Sequence, residues 1–194
     1  MSSPIGTPAV DERRDGRRTD TRRRIQDIAL DVFAERGWDA ATLREIAERL
    51  AITRPALYYH FRSKEDILAS VHRDLAESLD GIIEWAGNQP ASAQTRAEVL
   101  RRMSALMSGS WGAFLEFAQR NEAAMRDLKS AAEFIERMDI LGGMLRPDDT
   151  IPGRIKARLA LDALFMATAR GQQLGGSIED RAESALAIAV ALTR

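Results

Sequence analysis

Cysteine is absent from all 194 residues. Its absence excludes a disulfide framework, a thiolate metal centre and a thiol nucleophile. Histidine is almost as scarce. His60 and His72 are the only two, and two isolated imidazoles do not make a metal site. No glycine-rich phosphate loop or metal-ligand cluster is present either, so a small helical hydrolase or lyase has no residues to work with and the chain is read as no enzyme, with no cofactor. Long apolar runs are missing. The longest, Ala185–Leu192, falls far short of the roughly 20 residues needed to cross a bilayer. The N-terminus lacks the apolar stretch of a secretory signal. Period-two alternation with β-branched residues is absent too, which argues against strands. The expectation is an all-α, cytoplasmic protein with no membrane partner.

What remains is a chain that is 45% hydrophobic, enough for a real core, with a net charge of −1. The near-neutral total conceals an asymmetry. Residues 1–24 hold seven arginines against four acids, a local +3 that leaves −4 for the rest. Arg13, Arg14, Arg17, Arg18, Arg22, Arg23 and Arg24 share this segment with Pro4, Gly6, Pro8 and Gly16 and no apolar period. Residues 1–20 therefore read as a flexible arginine-rich arm, either a solvated tail or a strand-following contact for a nucleic acid.

Beyond the arm the apolar residues recur at helical spacing. Ile25, Ile28, Ala29, Val32 and Phe33 form one stripe, which predicts a helix over about 21–36 with Gly37 as its C-terminal glycine. Thr42-Leu43-Arg44-Glu45 has the capping-box pattern, in which threonine and glutamate satisfy each other's backbone donors. Leu43, Ile46, Ala47 and Leu50 form the buried face of this second helix. A three-residue joint, Ala51-Ile52-Thr53, leads to a short third helix over about 53–60, where Pro55 is tolerated in the first turn. Ser63 caps a long helix over about 64–86, with His72 on its surface.

A capped helix, a tight joint and a short third helix are the helix-turn-helix plan. The third helix has the right two-sidedness. Thr53, Arg54, Tyr58, Tyr59 and His60 are polar or amphipathic, while Leu57 and Phe61, four apart, point inward. Arg54 is the best candidate for base readout, because a guanidinium can bond guanine in bidentate fashion. Lys64 lies in the first turn of the next helix, a place that favours phosphate.

The stretch from Ile25 to Leu68 resembles the TetR (tetracycline repressor) family of transcriptional regulators. The likeness is strongest in Thr42-Leu43-Arg44-Glu45-Ile46-Ala47 and in Ala56-Leu57-Tyr58-Tyr59-His60-Phe61-Arg62-Ser63-Lys64-Glu65. It implies residues 21–66 as a DNA-binding domain and 67–194 as a helical ligand-binding and dimerisation domain. By position, Thr42, Tyr58, His60 and Lys64 match phosphate-positioning residues. Thr53, Arg54, Pro55, Ala56 and Tyr59 match residues presented to the groove, and Arg44 joins this DNA-facing set. The implied function is a homodimeric repressor that leaves a palindromic operator when it binds a small apolar effector. The competing reading, a ligand-independent structural DNA binder, would bind specific and random DNA alike.

The C-terminal part reads as helices over about 92–108, 111–141 (one broken helix or two), 154–174 and 178–193, with a loop over 142–153 and a Gly175-Gly176 joint. Met103, Met107, Trp111, Phe114, Phe117, Phe134, Met138 and Phe165 are either ordinary core or, as a set, the wall of an apolar ligand pocket. The alanine-rich last two helices, with Ala160, Leu164, Ala167, Ala185, Ile188 and Leu192, suit a four-helix interface between two copies, or packing within one chain.

Overall fold

A computed structural model describes residues 11–121, 130–167 and 173–194, with side chains from Thr19 onward except at positions 110, 116, 119, 120 and 130–132. Among these residues there are nine helices and no strand. They are α1 (Asp11–Arg36), α2 (Leu43–Arg49), α3 (Arg54–His60), α4 (Lys64–Gly87), α5 (Ala93–Met107), α6 (Ser110–Arg120), α7 (Ser130–Met144), α8 (Ile151–Ala167) and α9 (Ile178–Leu192). The chain divides into two compact units after Leu68.

In the first unit α1 starts ten residues before the expected position, so residues 11–20 are helix and not arm. Arginine, glutamate and aspartate are ordinary helix formers, and only Gly16 interrupts them. A missing apolar period in the sequence therefore does not preclude a helix. Residues 1–10 and the side chains of Arg13, Arg14, Arg17 and Arg18 lie outside the described residues. Ile25, Ala29, Val32 and Phe33 are buried, as the stripe predicts, and Gln26 and Leu30 join them. Gly37 closes α1 at φ +78°, and its N–H bonds the Phe33 carbonyl at 3.0 Å. Glycine occupies this left-handed position without steric penalty.

In the second unit the rest of α4 buries Val71, Leu75, Leu79, Ile82 and Ala86. His72 is buried as well, edge-on to Phe114 at 6.3 Å, rather than on the surface. It lies between Val71 and Leu75, on the flank of the apolar stripe. The segment expected over 111–141 is two helices, α6 and α7, with 122–129 between them outside the described residues. The following loop is shorter than expected. Gly142 and Gly143 finish α7, and α8 begins at Ile151 with Pro152 in its first turn. Thr150 caps that turn, its hydroxyl accepting from the Gly153 N–H at 3.1 Å. Pro152 is tolerated there because the first turn has N–H groups without helical partners. Gly153 is required by contact: a Cβ there would lie 2.3 Å from Asp148 Oδ1 and 2.7 Å from the Asp148 carbonyl.

Helices α8 and α9 pack on each other, and α5 packs against both. Ser177 and Asp180 form a full capping box at the start of α9, each side chain bonding the other's N–H at 3.0 Å. These bonds hold the Asp180 carboxyl below its ordinary pKa. Arg181 donates to the Gly176 carbonyl at 2.8 Å and braces the preceding turn.

Candidate nucleic-acid interface

Seven residues are too few for α2 or α3 to be stable alone, so caps, a turn and two anchors must hold them. Thr42 Oγ1 accepts from the Glu45 N–H at 3.2 Å. The expected return bond from Glu45 is replaced by ion pairs. Its carboxylate takes Arg36 Nε at 2.9 Å and an Arg49 guanidinium nitrogen at 3.2 Å. Arg49 also pairs with Glu35. The four charges tie α2 to α1, and they hold the Glu35 and Glu45 carboxyls below the usual range.

The turn from α2 into α3 is a Schellman motif. The Ala51 N–H bonds the Glu48 carbonyl at 3.1 Å, and the Ile52 N–H bonds the Ala47 carbonyl at 3.1 Å. Ala51 is accordingly left-handed, at φ +52°. Thr53 then caps α3, accepting from the Ala56 N–H at 3.3 Å. Leu57 is fully buried and Phe61 is 2% exposed. Each such side chain contributes about 1.5–3 kcal/mol on burial, which anchors α3 on its inner side.

The outer side is open. Thr53, Arg54, Pro55, Ala56, Tyr58 and Tyr59 are exposed, the two tyrosines at 52% and 73%, and His60 is half-buried. Tyr59 stands edge-on to His60 at 5.3 Å. Thr42, Arg44, Arg54, Tyr58 and Lys64 come together around one surface concavity of about 430 Å³, with Arg62, Ser63 and Glu65 on the same wall. Four cations therefore face one acid. Thr53, Pro55, Ala56, Tyr59 and His60 lie outside this concavity, on the neighbouring surface of α3. Thr42 and Thr53 use hydroxyl oxygens for their caps, and each keeps a hydroxyl hydrogen to donate.

The cations differ in availability. Arg44 Nε donates to Glu48 at 2.7 Å. Lys64 Nζ donates to the Trp38 carbonyl and sits 4.8 Å from the Trp38 ring centre. Trp38 in turn stacks edge-on against Phe33 at 5.1 Å. Arg54 and Arg62 have no side-chain partner among the described residues. The sequence reading passes over Arg62, although it continues the four-residue spacing of Arg54 and Tyr58. It also misses Arg22. That guanidinium lies 4.4 Å over the Phe61 ring and donates to the His60 carbonyl at 3.5 Å, a cation at the C-terminal end of α3 where the helix dipole favours one.

The residues assigned to a ligand pocket lie in the second unit. Met103, Met107, Trp111, Phe114, Phe117 and Met138 are buried, and Phe134 and Phe165 are half-buried. Trp111 meets Phe114 edge-on at 5.6 Å. Met107 lines a void of about 20 Å³. Of the six residues assigned to an interface between copies, Ala160, Leu164, Ala167 and Ala185 are buried within the chain, and Leu192 is half-buried. The small size of the three alanines suits the close packing of α8 on α9. Ile188 alone is exposed; Ile151, Ile155, Leu159 and Met166 of α8 and Ile178 of α9 are exposed apolar residues as well.

Comparison with known proteins follows this division. The family described as bacterial regulatory proteins, tetR family, matches residues 25–71. The regulator AcrR of Shigella flexneri is 38% identical over 65 residues, and the repressor KstR2 of Rhodococcus jostii is 42% identical over 66. Each aligned segment is 34% of this chain and 30% of the relative, so the chain spans less than a third of the length of these relatives. The crystal structure of the TetR family regulator PfmR from Thermus thermophilus shares the fold at a TM-score of 0.65 and 20% identity, over 87% of this chain and 97% of that one. The segment that carries α2 and α3 is thus similar, by family model and by relatives alike, to the TetR family of bacterial regulatory proteins.

Proposed function

We propose that this protein is a DNA-binding transcriptional regulator, a homodimeric repressor that releases a palindromic operator on binding a small apolar effector in the cytoplasm. One observation carries the DNA-binding part. The outer side of α3 presents Arg54, Tyr58 and Tyr59 to solvent, while Leu57 and Phe61 hold its inner side in the core. A helix so mounted can enter the major groove, with its first residues at base edges. Arg54, in the first turn and without a side-chain partner among the described residues, reads bases. Thr42, Tyr58, His60 and Lys64 position the backbone of the duplex, Thr53, Pro55, Ala56 and Tyr59 face the groove, and Arg44 is available once it releases Glu48.

Exposed apolar residues support the dimer. Ile151, Ile155 and Leu159 repeat every four residues along α8, and Ile178 and Ile188 are exposed on α9. A second copy covering this face gives two DNA-reading heads and hence a pseudo-palindromic site. The effector acts by binding one conformation of the dimer better than another. It can shift the population no further than that difference in affinity. The methionine and aromatic side chains around Trp111 and Phe114 are the adaptable wall such a ligand requires.

Fluorescence anisotropy with a duplex from the gene's own upstream region, in competition with random DNA, tests this reading. A preference of at least about 10³-fold for the upstream duplex is expected of a specific regulator. Equal binding would instead favour a structural DNA binder. Ile155→Asp tests the dimer in sedimentation, where a shift to monomer is expected and an unchanged dimer would remove α8 from the interface.

A further inference from the structure

Arg62 lies just past the C-terminal end of α3, on the wall of the concavity that Arg54 and Tyr58 also line. Its backbone is fixed from both sides. Phe61 before it is buried, the Arg62 N–H bonds Asp66 Oδ2 at 3.1 Å, and Ser63 Oγ caps α4 at the Asp66 N–H at 3.0 Å. The side chain itself is exposed and has no partner among the described residues. Arg44 and Lys64, the other cations of the wall apart from Arg54, are already bonded to Glu48 and Trp38. A rigidly based guanidinium with no internal bond to break meets an anion at the least cost.

Position decides which anion. When the first turn of α3 faces base edges, a residue beyond its last turn lies at the edge of the groove, over the sugar-phosphate strand. We propose that Arg62 binds a DNA phosphodiester and so fixes the depth and angle of α3, while Arg54 reads sequence. The proposal rests on the DNA-binding reading above and adds a division of labour between the two unpaired arginines.

The division has a thermodynamic signature. One phosphate contact contributes about 0.9 to the slope of log affinity against log salt. Arg62→Gln should therefore lower the magnitude of that slope by about 0.9 per protomer, equally on a duplex selected by the wild type from a random pool and on unselected DNA. Between about 50 and 200 mM salt the variant should lose roughly threefold less affinity per protomer than the wild type. The ratio of selected to unselected binding should stay constant. Arg62→Lys should restore the slope, since an ammonium also binds phosphate. A wild-type slope in Arg62→Gln overturns the proposal, whether or not its thermal midpoint has changed. A loss confined to the selected duplex also overturns it, by making Arg62 a base reader. Wild-type protein that fails to bind either DNA is a different result, and it removes the DNA-binding reading itself.

Discussion

Replacing Ala51 with glycine should make the protein more stable, although the change deletes a side chain. Ala51 occupies the left-handed position of the Schellman turn at φ +52°. There an L-residue brings its Cβ against the following carbonyl, at a cost of about 1–2 kcal/mol. Glycine removes that cost, and its greater freedom in the unfolded chain takes back roughly 0.5–1 kcal/mol. The net expectation is a gain of about 0.5–1 kcal/mol. For a chain of this size that is a rise of roughly 1–4 °C in thermal midpoint. Ala51→Val should move the midpoint down, since a β-branched residue tolerates this conformation least. Gly37→Ala is the mirror experiment, at φ +78°, and should lower stability by about 1 kcal/mol. Circular dichroism melts of the three variants provide the assay. Ala51 stands outside the cationic concavity proposed to face DNA, so Ala51→Gly should leave DNA affinity unchanged. An Ala51→Gly protein that melts at or below the wild-type temperature would refute the reasoning.

Gly153→Ala should destabilise the second unit by about 1–3 kcal/mol, because its Cβ would meet both the side chain and the backbone of Asp148; an unchanged urea midpoint would contradict this. Asp31→Asn should stabilise the protein at neutral pH. Asp31 is exposed, yet partial desolvation and the like charges of Glu35 and Asp27, one turn away on either side, raise its pKa, so the ionised form opposes folding above that pKa and the penalty fades as pH falls through it. The gain over wild type should shrink as the pH falls through the carboxylate range, near about 4; a gain that persists in acid would show that charge is not its cause. The paired Glu45 behaves oppositely. Its lowered pKa stabilises the fold above the ordinary carboxylate value, and that contribution is lost as pH falls through the lowered one, so Glu45→Gln should weaken the neutral-pH fold, as a comparison of urea midpoints at neutral and acid pH would show.

The helix-turn-helix was legible because its determinants are local. Thr42 and Thr53 each cap within three residues, Leu57 and Phe61 are one turn apart, and Gly37 marks its own conformation. What escaped depends on partners distant in sequence. Glu45 abandons its cap for Arg36 and Arg49, and Arg22 reaches Phe61 across 39 positions. Ala51 adopts a glycine conformation with no glycine to announce it. Near the C-terminus, alanine spacing marks helix faces that meet closely but not whose helices they are. Ala160 and Ala185 are buried within the chain, and the bulkier Ile151, Ile155 and Leu159 are the ones left outside.

The most direct test of the account is a base-by-base affinity profile of Arg54→Ala against the wild type, on single-substitution variants of the selected duplex. Arg54 stands at the start of α3 with no side-chain partner among the described residues, so the variant should lose about 1–3 kcal/mol of discrimination at one base position per half-site and keep its preferences elsewhere. A uniform loss across every sequence, or a profile identical to wild type, would contradict the claim that the outer side of α3 reads DNA through Arg54.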